Sequence, residues 1–469
     1  MILIRNAKII DGTGAPERHG DVLISGKSIS AIGNFPHKKT ETVIEALGQR
    51  LVPGFINIRM ESAETTDILT DPWQTNARNV GYTTLIGGID GTSIAPLIGG
   101  SLEHARKWAS SAINVNWQTV KEFQKALSML PLGVNFGTFA GYNGIRRMIV
   151  HEDGGDPTDK ELNAIMRVIE TALYEDALGI ALNLDTAHGR RISHEEARRI
   201  ARTCAKAKKP LALRLRAQAE HFMEAANEAL SLYRATGARM IIADFVPRTM
   251  NKAAEKDFHL AYETLKSAGD GLYMELRCSV GRLVPLYELL PRFAQVGSLE
   301  TMNILMRDKS MRKKLIAGMP RLEGALIARA PREYHALIGV TLEAFAHNRE
   351  LNGKEALLEL MRLTRLRATI RIPAEPSPLH AELMKNDRAL VSGEPQSVWK
   401  IADNARLPLE TAVMKLSGLP ASILGLTKRG MILENYAADI ALINDKNEVT
   451  KIIVNGTLND NGGLCANLQ

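Results

Sequence analysis

The sequence is poor in the residues that build common metal sites and disulfide frameworks. Its 469 residues include only three cysteines, Cys204, Cys278 and Cys465, an odd number at wide spacing. This pattern argues against a disulfide framework and against a cysteine-type zinc site. The eleven histidines contain no His-x-His pair. The nearest pair, His188 and His194, has no third ligand beside it, so both are expected to be surface residues.

Long apolar runs are also missing. No stretch approaches the roughly 20 apolar residues that a membrane span needs. The opening Met1-Ile2-Leu3-Ile4-Arg5-Asn6 leads into strand-like sequence without the apolar core and cleavage site of a signal peptide. The composition, 45% hydrophobic and 24% charged, is that of a globular protein in water. The sequence therefore predicts a cytoplasmic protein without a membrane segment.

The net charge of +7 is concentrated on two predicted helices, within 198–209 and 307–314. A phosphate-binding face is one interpretation of these basic clusters. No recognition motif and no interleaved aromatic residues accompany either cluster, however. Solvated helix faces are the expected reading, and a nucleic-acid partner is not expected. An unidentified small molecule or protein partner is expected instead, and a homo-oligomer is left open.

Strand-like apolar runs alternate with longer helical patterns, which predicts βα units and a parallel sheet. The helical patterns include 160–176 and 194–208. Eight such units predict a closed (β/α)₈ barrel with its site at the carboxyl ends of the strands. The predicted strands are 51–57, 83–88, 133–140, 179–184, 210–216, 240–245, 272–277 and 388–392.

Two outer segments depart from this pattern. Residues 1–50 and 431–469 alternate short strands with turns, and they are predicted to pair into one small β-sandwich domain. Residues 51–430 are then the barrel domain. Within it, 282–387 is too long for a simple connection and is predicted to be a mostly helical insertion before the last strand.

Several segments in order resemble the N-acyl-D-amino-acid deacylases, or D-aminoacylases, of the amidohydrolase superfamily. Leu51-Val52-Pro53-Gly54-Phe55-Ile56-Asn57 is similar to the end of that superfamily's first barrel strand. Gly81-Tyr82-Thr83-Thr84 through Ala95-Pro96-Leu97 is similar to the family's second-strand motif, and 135–146 follows a third segment. The patterns at 407–413, 419–421 and 429–432 extend the resemblance over nearly the whole chain.

The resemblance implies a zinc site and a general base, and this chain departs from the family at each of those positions. The positions of the His-x-His pair, of a cysteine and of two further histidines fall on Arg59, Glu61, Asp90, Arg214 and Asp244. The region of the catalytic aspartate falls on Ser392, Gly393 and Glu394, with glycine at the key place. A family histidine is replaced by Tyr142, and the candidates for a substrate pocket are Tyr142 and Arg216.

Two of the five replacements cannot bind zinc. A guanidinium keeps its proton and has no lone pair, so Arg59 and Arg214 repel a divalent ion. The five replacements carry a summed charge of −1, and we expect them to form an ion-pair cluster at the barrel mouth. Side chains that simply face solvent are the alternative. A magnesium or calcium site on Glu61, Asp90 and Asp244 is a further one.

Three classes of function follow from this reading. The favoured one is a non-catalytic D-aminoacylase-like protein with a structural, regulatory or ligand-binding role, and no cofactor is predicted for it. The second is an active amidohydrolase that cleaves the linear amide C–N bond of an N-acyl amino acid. It would use a rebuilt, metal-independent site with Glu61 or Asp244 as base, or zinc. The third is a nucleic-acid-binding protein.

Overall fold

The computed structural model describes residues 1–60, 66–98, 115–150, 155–186, 188–217, 221–246, 252–279, 281–373 and 378–458. The predicted site residue Glu61 and the cysteine Cys465 lie outside the described residues. Within these ranges, no helix is long and apolar enough to cross a membrane.

Strands and helices alternate through most of the chain. In chain order the strands are β1 (Ile2–Ile9), β2 (Arg18–Ser25), β3 (Ser28–Gly33), β4 (Thr42–Glu45), β5 (Arg50–Pro53), β6 (Phe55–Met60), β7 (Tyr82–Gly87), β8 (Asn135–Thr138), β9 (Ala140–Gly141), β10 (Ile180–Asn183), β11 (Leu211–Arg214), β12 (Met240–Ile242), β13 (Leu272–Cys278), β14 (Gly281–Pro285), β15 (Leu326–Arg329), β16 (Thr369–Pro373), β17 (Ala389–Gly393), β18 (Ile440–Ile443), β19 (Val449–Val454) and β20 (Thr457–Leu458).

The helices are α1 (Asp67–Thr70), α2 (Thr75–Asn79), α3 (Val120–Ser128), α4 (Tyr142–Val150), α5 (Asp159–Tyr174), α6 (His194–Ala207), α7 (Phe222–Thr236), α8 (Lys252–Lys266), α9 (Leu299–Arg307), α10 (Arg312–Gly318), α11 (Leu342–His347), α12 (Gly353–Leu363), α13 (Pro378–Met384), α14 (Pro395–Ala405), α15 (Leu409–Leu416) and α16 (Gly418–Leu424). Short 3₁₀ turns lie at Gly189–Arg191, Leu286–Leu289, Arg292–Ala294 and Arg332–Leu337.

The strands that carry the site pair in parallel, as the alternation of strands and helices predicts. One sheet runs β17-β13-β12-β11-β10-β9 and another runs β6-β7-β8. Only Phe139 separates β8 from β9, and its backbone N–H donates to the carbonyl of Gly87 in β7. Because parallel strands all point the same way, their carboxyl ends lie at one edge.

Alternate residues of these strands face two different cores, as the period of two in a strand requires. Ile56, Ile86, Ala181, Ala212 and Ile241 belong to an inner cluster. Their neighbours along the strands pack in the outer layer with the helices; they include Leu85, Leu182, Leu213 and Ile242. Among the described residues no ladder joins β17 to β6, so closure of the barrel stays a prediction.

Strands from both ends of the chain share one eight-stranded sheet. Its order is β20-β19-β18-β5-β1-β2-β3, with β4 also paired to β1. The junction is the antiparallel pair of β18 and β5, in which Ile440 faces Pro53. A buried hydrogen-bond network attaches this sheet to strand β8, because Asn135 donates to Asp439 at 3.0 Å and accepts from Asn455 at 2.7 Å. The predicted domain bounds and the two-layered sandwich stay predictions.

The insertion before the last parallel strand contains strands that the sequence did not predict. Besides helices α9 to α12 it contains an antiparallel sheet of order β14-β16-β15. It has its own apolar core, in which Ile327, Phe345, Leu357 and Ile370 are buried. The three strands are short and lie between helical patterns, so the sequence shows no clear period of two there.

The two helices predicted in detail end slightly earlier than expected. Helix α5 begins at a capping box of Thr158 and Glu161 and ends at Tyr174, because Asp176 takes a positive φ of 67°. Helix α6 is capped by Ser193 and ends before Lys208, whose φ of 56° is left-handed. A residue in that region cannot continue a right-handed helix.

Candidate functional site

At the carboxyl end of β6, Arg59 makes a two-pronged contact with a carboxylate on β13. Its Nε donates to Oε1 of Glu275 at 2.9 Å, and its Nη2 donates to Oε2 at 2.7 Å. Both side chains are almost fully buried, with 1% and 0% exposed. This fork-to-fork geometry is the strongest form of arginine–carboxylate pairing. Glu275 thus anchors Arg59 in the interior.

A chain of alternating charges continues from Arg59. Its Nη1 donates to Oδ1 of Asp90, and the same oxygen lies 3.5 Å from Nη1 of Arg214. Arg214 in turn donates through Nη2 to Oδ2 of Asp244 at 2.6 Å. The structure therefore brings together four of the five replacement residues named from the sequence, Arg59, Asp90, Arg214 and Asp244.

The backbone closes this chain into a ring. The N–H of Asp244 donates to Oε2 of Glu275 at 2.6 Å, and Asp244 adopts a left-handed φ of 55°. Ser392 on β17 donates its hydroxyl proton to Oε1 of Glu275. Glu275 therefore accepts from two side chains and one backbone group, which satisfies a carboxylate that is fully removed from water. We call Arg59, Asp90, Arg214, Asp244 and Glu275 the charge ring.

Within the ring, opposite charges outweigh the effect of burial on the aspartates and arginines. Burial opposes ionisation of Asp90, yet Arg59 and Arg214 outweigh it and lower the pKa of Asp90. Burial also works against ionised Asp244, but Arg214 and Arg59 lower its pKa well below the ordinary range. The pKa of Arg59 is raised despite burial, because Asp90 and Glu275 are close. Opposite charges at short range favour the ionised forms.

Comparisons with known proteins point to one family, although no protein-family model matches the chain. An N-acyl-D-aspartate deacylase of Alcaligenes xylosoxydans xylosoxydans is 25% identical over 457 residues, which cover 95% of this chain and 86% of the relative. The crystal structure of N-acyl-D-glutamate deacylase from Bordetella bronchiseptica, complexed with zinc and a phosphonate inhibitor, superposes with a TM-score of 0.78 at 20% identity, covering 100% and 99% of the two chains. A D-aminoacylase with a binuclear metal center gives a TM-score of 0.79 at 20% identity, with 99% of each chain covered.

The chain is similar to the D-aminoacylase-like amidohydrolases over nearly its whole length. The resemblance stated from the sequence is thereby confirmed, and it spans the whole fold rather than a single motif. It also makes the contents of the charge ring unexpected, because the family resemblance implies zinc ligands at the same places.

In this D-aminoacylase-like chain the residues of the ring do not fit zinc. Zinc binds imidazole, thiolate or carboxylate groups with a free lone pair. Two of the ring positions hold guanidinium groups, and the oxygens of Asp90 and Asp244 that face the ring already accept from them. No group of three or more histidine, cysteine, aspartate or glutamate side chains that could hold a metal occurs within the described ranges.

The segment that corresponds to the family's catalytic aspartate is also built differently. Gly393 has a φ of 104°, and a Cβ there would lie 2.2 Å from the carbonyl oxygen of Cys278. The Gly393 carbonyl accepts from the hydroxyl of Tyr82. Glu394 occupies the N-cap position of α14 ahead of Pro395 without a side-chain capping hydrogen bond, and its backbone N–H donates to the Cys278 carbonyl at 2.8 Å. The backbone here leaves no room for a side chain at Gly393.

The two substrate-pocket candidates make contacts within the protein. Tyr142 is fully buried, and its hydroxyl donates to Glu196, which also accepts from Arg146 at 2.8 Å. Arg216 binds both oxygens of Glu228, at 3.0 and 2.8 Å. A role for Tyr142 and Arg216 in a substrate pocket stays a prediction.

A cleft of about 530 Å³ opens beside the charge ring. Its walls come from the carboxyl ends of β6, β13 and β17, from α1 and α2, and from β14 and β16 of the insertion. Arg59 lines it from the ring, and charged side chains from other elements also line it: Asp67, Asp71, Arg277, Arg371 and Glu394. Its volume is in the range of small-molecule sites.

Glu275 is the central residue that the sequence reasoning missed. The family resemblance singles out five replacement residues, and none of them is on β13. One signal was present, because Glu275 is an acid inside the otherwise apolar run Leu272-Tyr273-Met274-Glu275-Leu276. A buried acid in such a strand needs a cationic partner. Arg277 and Arg282 also act electrostatically on Asp244, so further arginines surround the ring.

Proposed function

We propose that this chain is a non-catalytic member of the D-aminoacylase-like amidohydrolases and serves as a ligand-binding protein with a regulatory or structural role. The observation that carries the proposal is the buried two-pronged pair of Arg59 and Glu275, joined to Asp90. It places a guanidinium where the family resemblance implies a zinc ligand.

The chemistry of the ring supports this assignment. A general base works best with a pKa near the operating pH, whereas the arginines keep the pKa of Asp244 far below that. Glu275 already accepts from Arg59, Ser392 and the Asp244 backbone N–H. Neither carboxylate is placed to take a proton from water or to hold a metal.

The proposal includes a closed barrel of eight strands. The hydroxyl of Tyr82 on β7 reaches across to the Gly393 carbonyl on β17. β6 and β17 pack together, and residues from both contribute to the inner apolar cluster. Closure between β17 and β6 would complete the arrangement that the parallel strands begin. Such closure would place the charge ring across the mouth of the barrel.

The partner is proposed to be a small molecule or a protein rather than nucleic acid. Basic side chains on α6 and α10 have acidic neighbours: Arg198 pairs with Glu195, and Arg312 lies 3.6 Å from Glu355. Pairing of this kind lowers the net positive field that a phosphate backbone requires. A homo-oligomer and a cytoplasmic location stay predictions.

Hydrolysis of N-acyl-D-amino acids tests the proposal. The purified chain should release no free amino acid from N-acetyl-D-aspartate, N-acetyl-D-glutamate or N-acetyl-D-leucine, with or without added zinc. Turnover that disappears in Asp244→Asn but persists in the surface variant Asp403→Asn would contradict the proposal. That result would favour the alternative, an amidohydrolase working through a rebuilt site.

A further inference from the structure

Two opposite charges in the cleft have no partner among the described residues. Arg371 on β16 and Glu394 at the start of α14 both line the cleft and are partly buried. Neither side chain has a hydrogen bond or ion pair to any part of the chain that the structure describes. Their charged atoms are therefore more than 4.0 Å apart, because a closer approach would make them an ion pair.

This separates Arg371 and Glu394 from the other charged residues that line the cleft. The ring residues are paired with one another, and Asp67 is held by both terminal nitrogens of Arg329, at 3.1 and 2.6 Å. Partial burial removes water from a charged group, and without a partner no other interaction compensates for that loss. Two such groups of opposite sign, facing one space, are therefore suited to a ligand that carries both charges.

We propose that the cleft binds a free α-amino acid, with the ligand carboxylate on Arg371 and the ligand ammonium on Glu394. Arginine presents a planar pair of donors that matches a carboxylate. A carboxylate such as Glu394 accepts from the N–H groups of an ammonium. A zwitterion thus bridges two charges that the protein keeps apart, and both become paired when it binds.

The rest of the cleft suits a small ligand with an apolar side chain. Apolar side chains line part of the wall: Met60, Val80, Leu85 and Leu283. The polar residues Gln74, Asn76 and Gln396 also line the cleft. Small-molecule sites combine an apolar lining with a few placed polar groups.

This inference rests on the proposed function, since it names the ligand of a chain that does not hydrolyse its family's substrates. It also separates this ligand from an N-acyl amino acid. An N-acyl amino acid keeps the carboxylate but has a neutral amide where the zwitterion has an ammonium. Glu394 would then face an uncharged group and stay unpaired.

Isothermal titration with the full-length chain tests the inference. Each of the twenty standard amino acids and its D-enantiomer is titrated in turn, and the best binder is compared with its N-acetyl and carboxamide derivatives. At least one free amino acid should bind, and each derivative should bind at least tenfold more weakly. The absence of binding for every free amino acid would overturn the inference. Equal affinity for the N-acetyl derivative would do the same.

Variants link the binding to the two charges. Arg371→Met and Glu394→Gln should each weaken the affinity at least tenfold, whereas the exposed matched controls Arg367→Met and Glu300→Gln should not change it. Circular dichroism checks that each variant is folded. Unchanged affinity in both folded cleft variants would contradict the assignment. If the chain has no deacylase activity and binds no amino acid, only this inference is wrong. If the chain has deacylase activity, the proposed function is wrong, whatever the chain binds.

Discussion

Arg59 and Glu275 face each other across the interior, with Nε–Oε1 and Nη2–Oε2 distances of 2.9 and 2.7 Å. The two residues are 216 positions apart in the chain and come from β6 and β13. An ion pair, rather than an apolar contact, therefore joins β6, the first of the parallel strands, to β13, the last but one. The pair stabilises this end of the fold only while both partners are present.

Removing one partner should therefore destabilise the chain strongly. Arg59→Met leaves Glu275 and Asp90 buried without their main cation, and breaking such a pair costs about 3–5 kcal/mol. Urea unfolding should show this loss, while the exposed control Arg202→Met should change the free energy of unfolding by less than about 0.5 kcal/mol. A loss in Arg59→Met as small as that of the control would mean that the ring is not a buried structural element.

Acid should weaken the ring in a defined direction. The folded-state pKa of Asp244 is lowered, because its pairing with Arg214 and Arg59 outweighs burial. A lowered folded pKa contributes stability above the unfolded value of about 3.9, and this stability is lost as the pH falls towards the folded pKa. Stability should therefore fall with a steeper slope below about pH 4 in the parent than in Asp244→Asn.

Denaturant unfolding of both proteins between pH 6 and pH 2.5 measures the two slopes. The surface variant Asp403→Asn should follow the parent over the whole range. If the free energy of unfolding falls with the same slope in acid for the parent and Asp244→Asn, the ring does not stabilise the ionised Asp244 carboxylate.

The order of strands could be predicted from the sequence, whereas the pairing of charges could not. Apolar runs spaced by helices predict parallel strands and place Arg59, Arg214 and Asp244 at one edge, as observed. The identity of each partner depends on side-chain reach across the interior, which no local pattern encodes. Glu275 was missed for this reason. The fully buried position of Tyr142 depends on Glu196, which is 54 residues away.

Restoring an aspartate at Gly393 should not restore a general base. The φ of 104° is strained for any residue with a side chain, and its Cβ would meet the Cys278 carbonyl at 2.2 Å. Gly393→Asp should lower the free energy of unfolding by more than about 2 kcal/mol and add no deacylase activity. Gly339→Asp is the control, since Gly339 shares a positive φ of 87° but has open space around its Cβ position. Equal losses in the two variants would remove the steric explanation.

Lys415 is a buried lysine outside the site, and because of it we expect the free energy of unfolding to rise at alkaline pH. Burial lowers the pKa of Lys415 to about 8, although Asp387 opposes the shift. Its Nζ donates to the carbonyls of Asn386 and Ala389, at 2.7 and 3.2 Å. A lysine whose folded pKa lies below its unfolded value disfavours folding while it is charged, so this penalty should fade between about pH 8 and pH 10.5.

The difference in unfolding free energy between the parent and Lys415→Met isolates this effect from other groups that titrate in alkali. It should shift by about 2 kcal/mol in favour of the parent between pH 7 and pH 9.5. Lys400→Met, at an exposed position of α14, should show no such shift. A constant difference between the parent and Lys415→Met would contradict the lowered pKa.

The metal content of the purified chain shows whether ion pairs occupy the place of the metal centre that the family resemblance implies. The chain is produced with ample zinc, dialysed and assayed by elemental analysis, with thermal unfolding in parallel. We expect no stoichiometric zinc and no stabilisation by added zinc in the parent or in Arg59→His and Arg214→His, because at least one arginine still opposes the cation in each. An ion bound only by the folded state would stabilise by about 2.7 kcal/mol at a hundred times its Kd. One or two zinc ions per parent chain, with a matching rise in stability, would show that the ion pairs do not replace a metal centre.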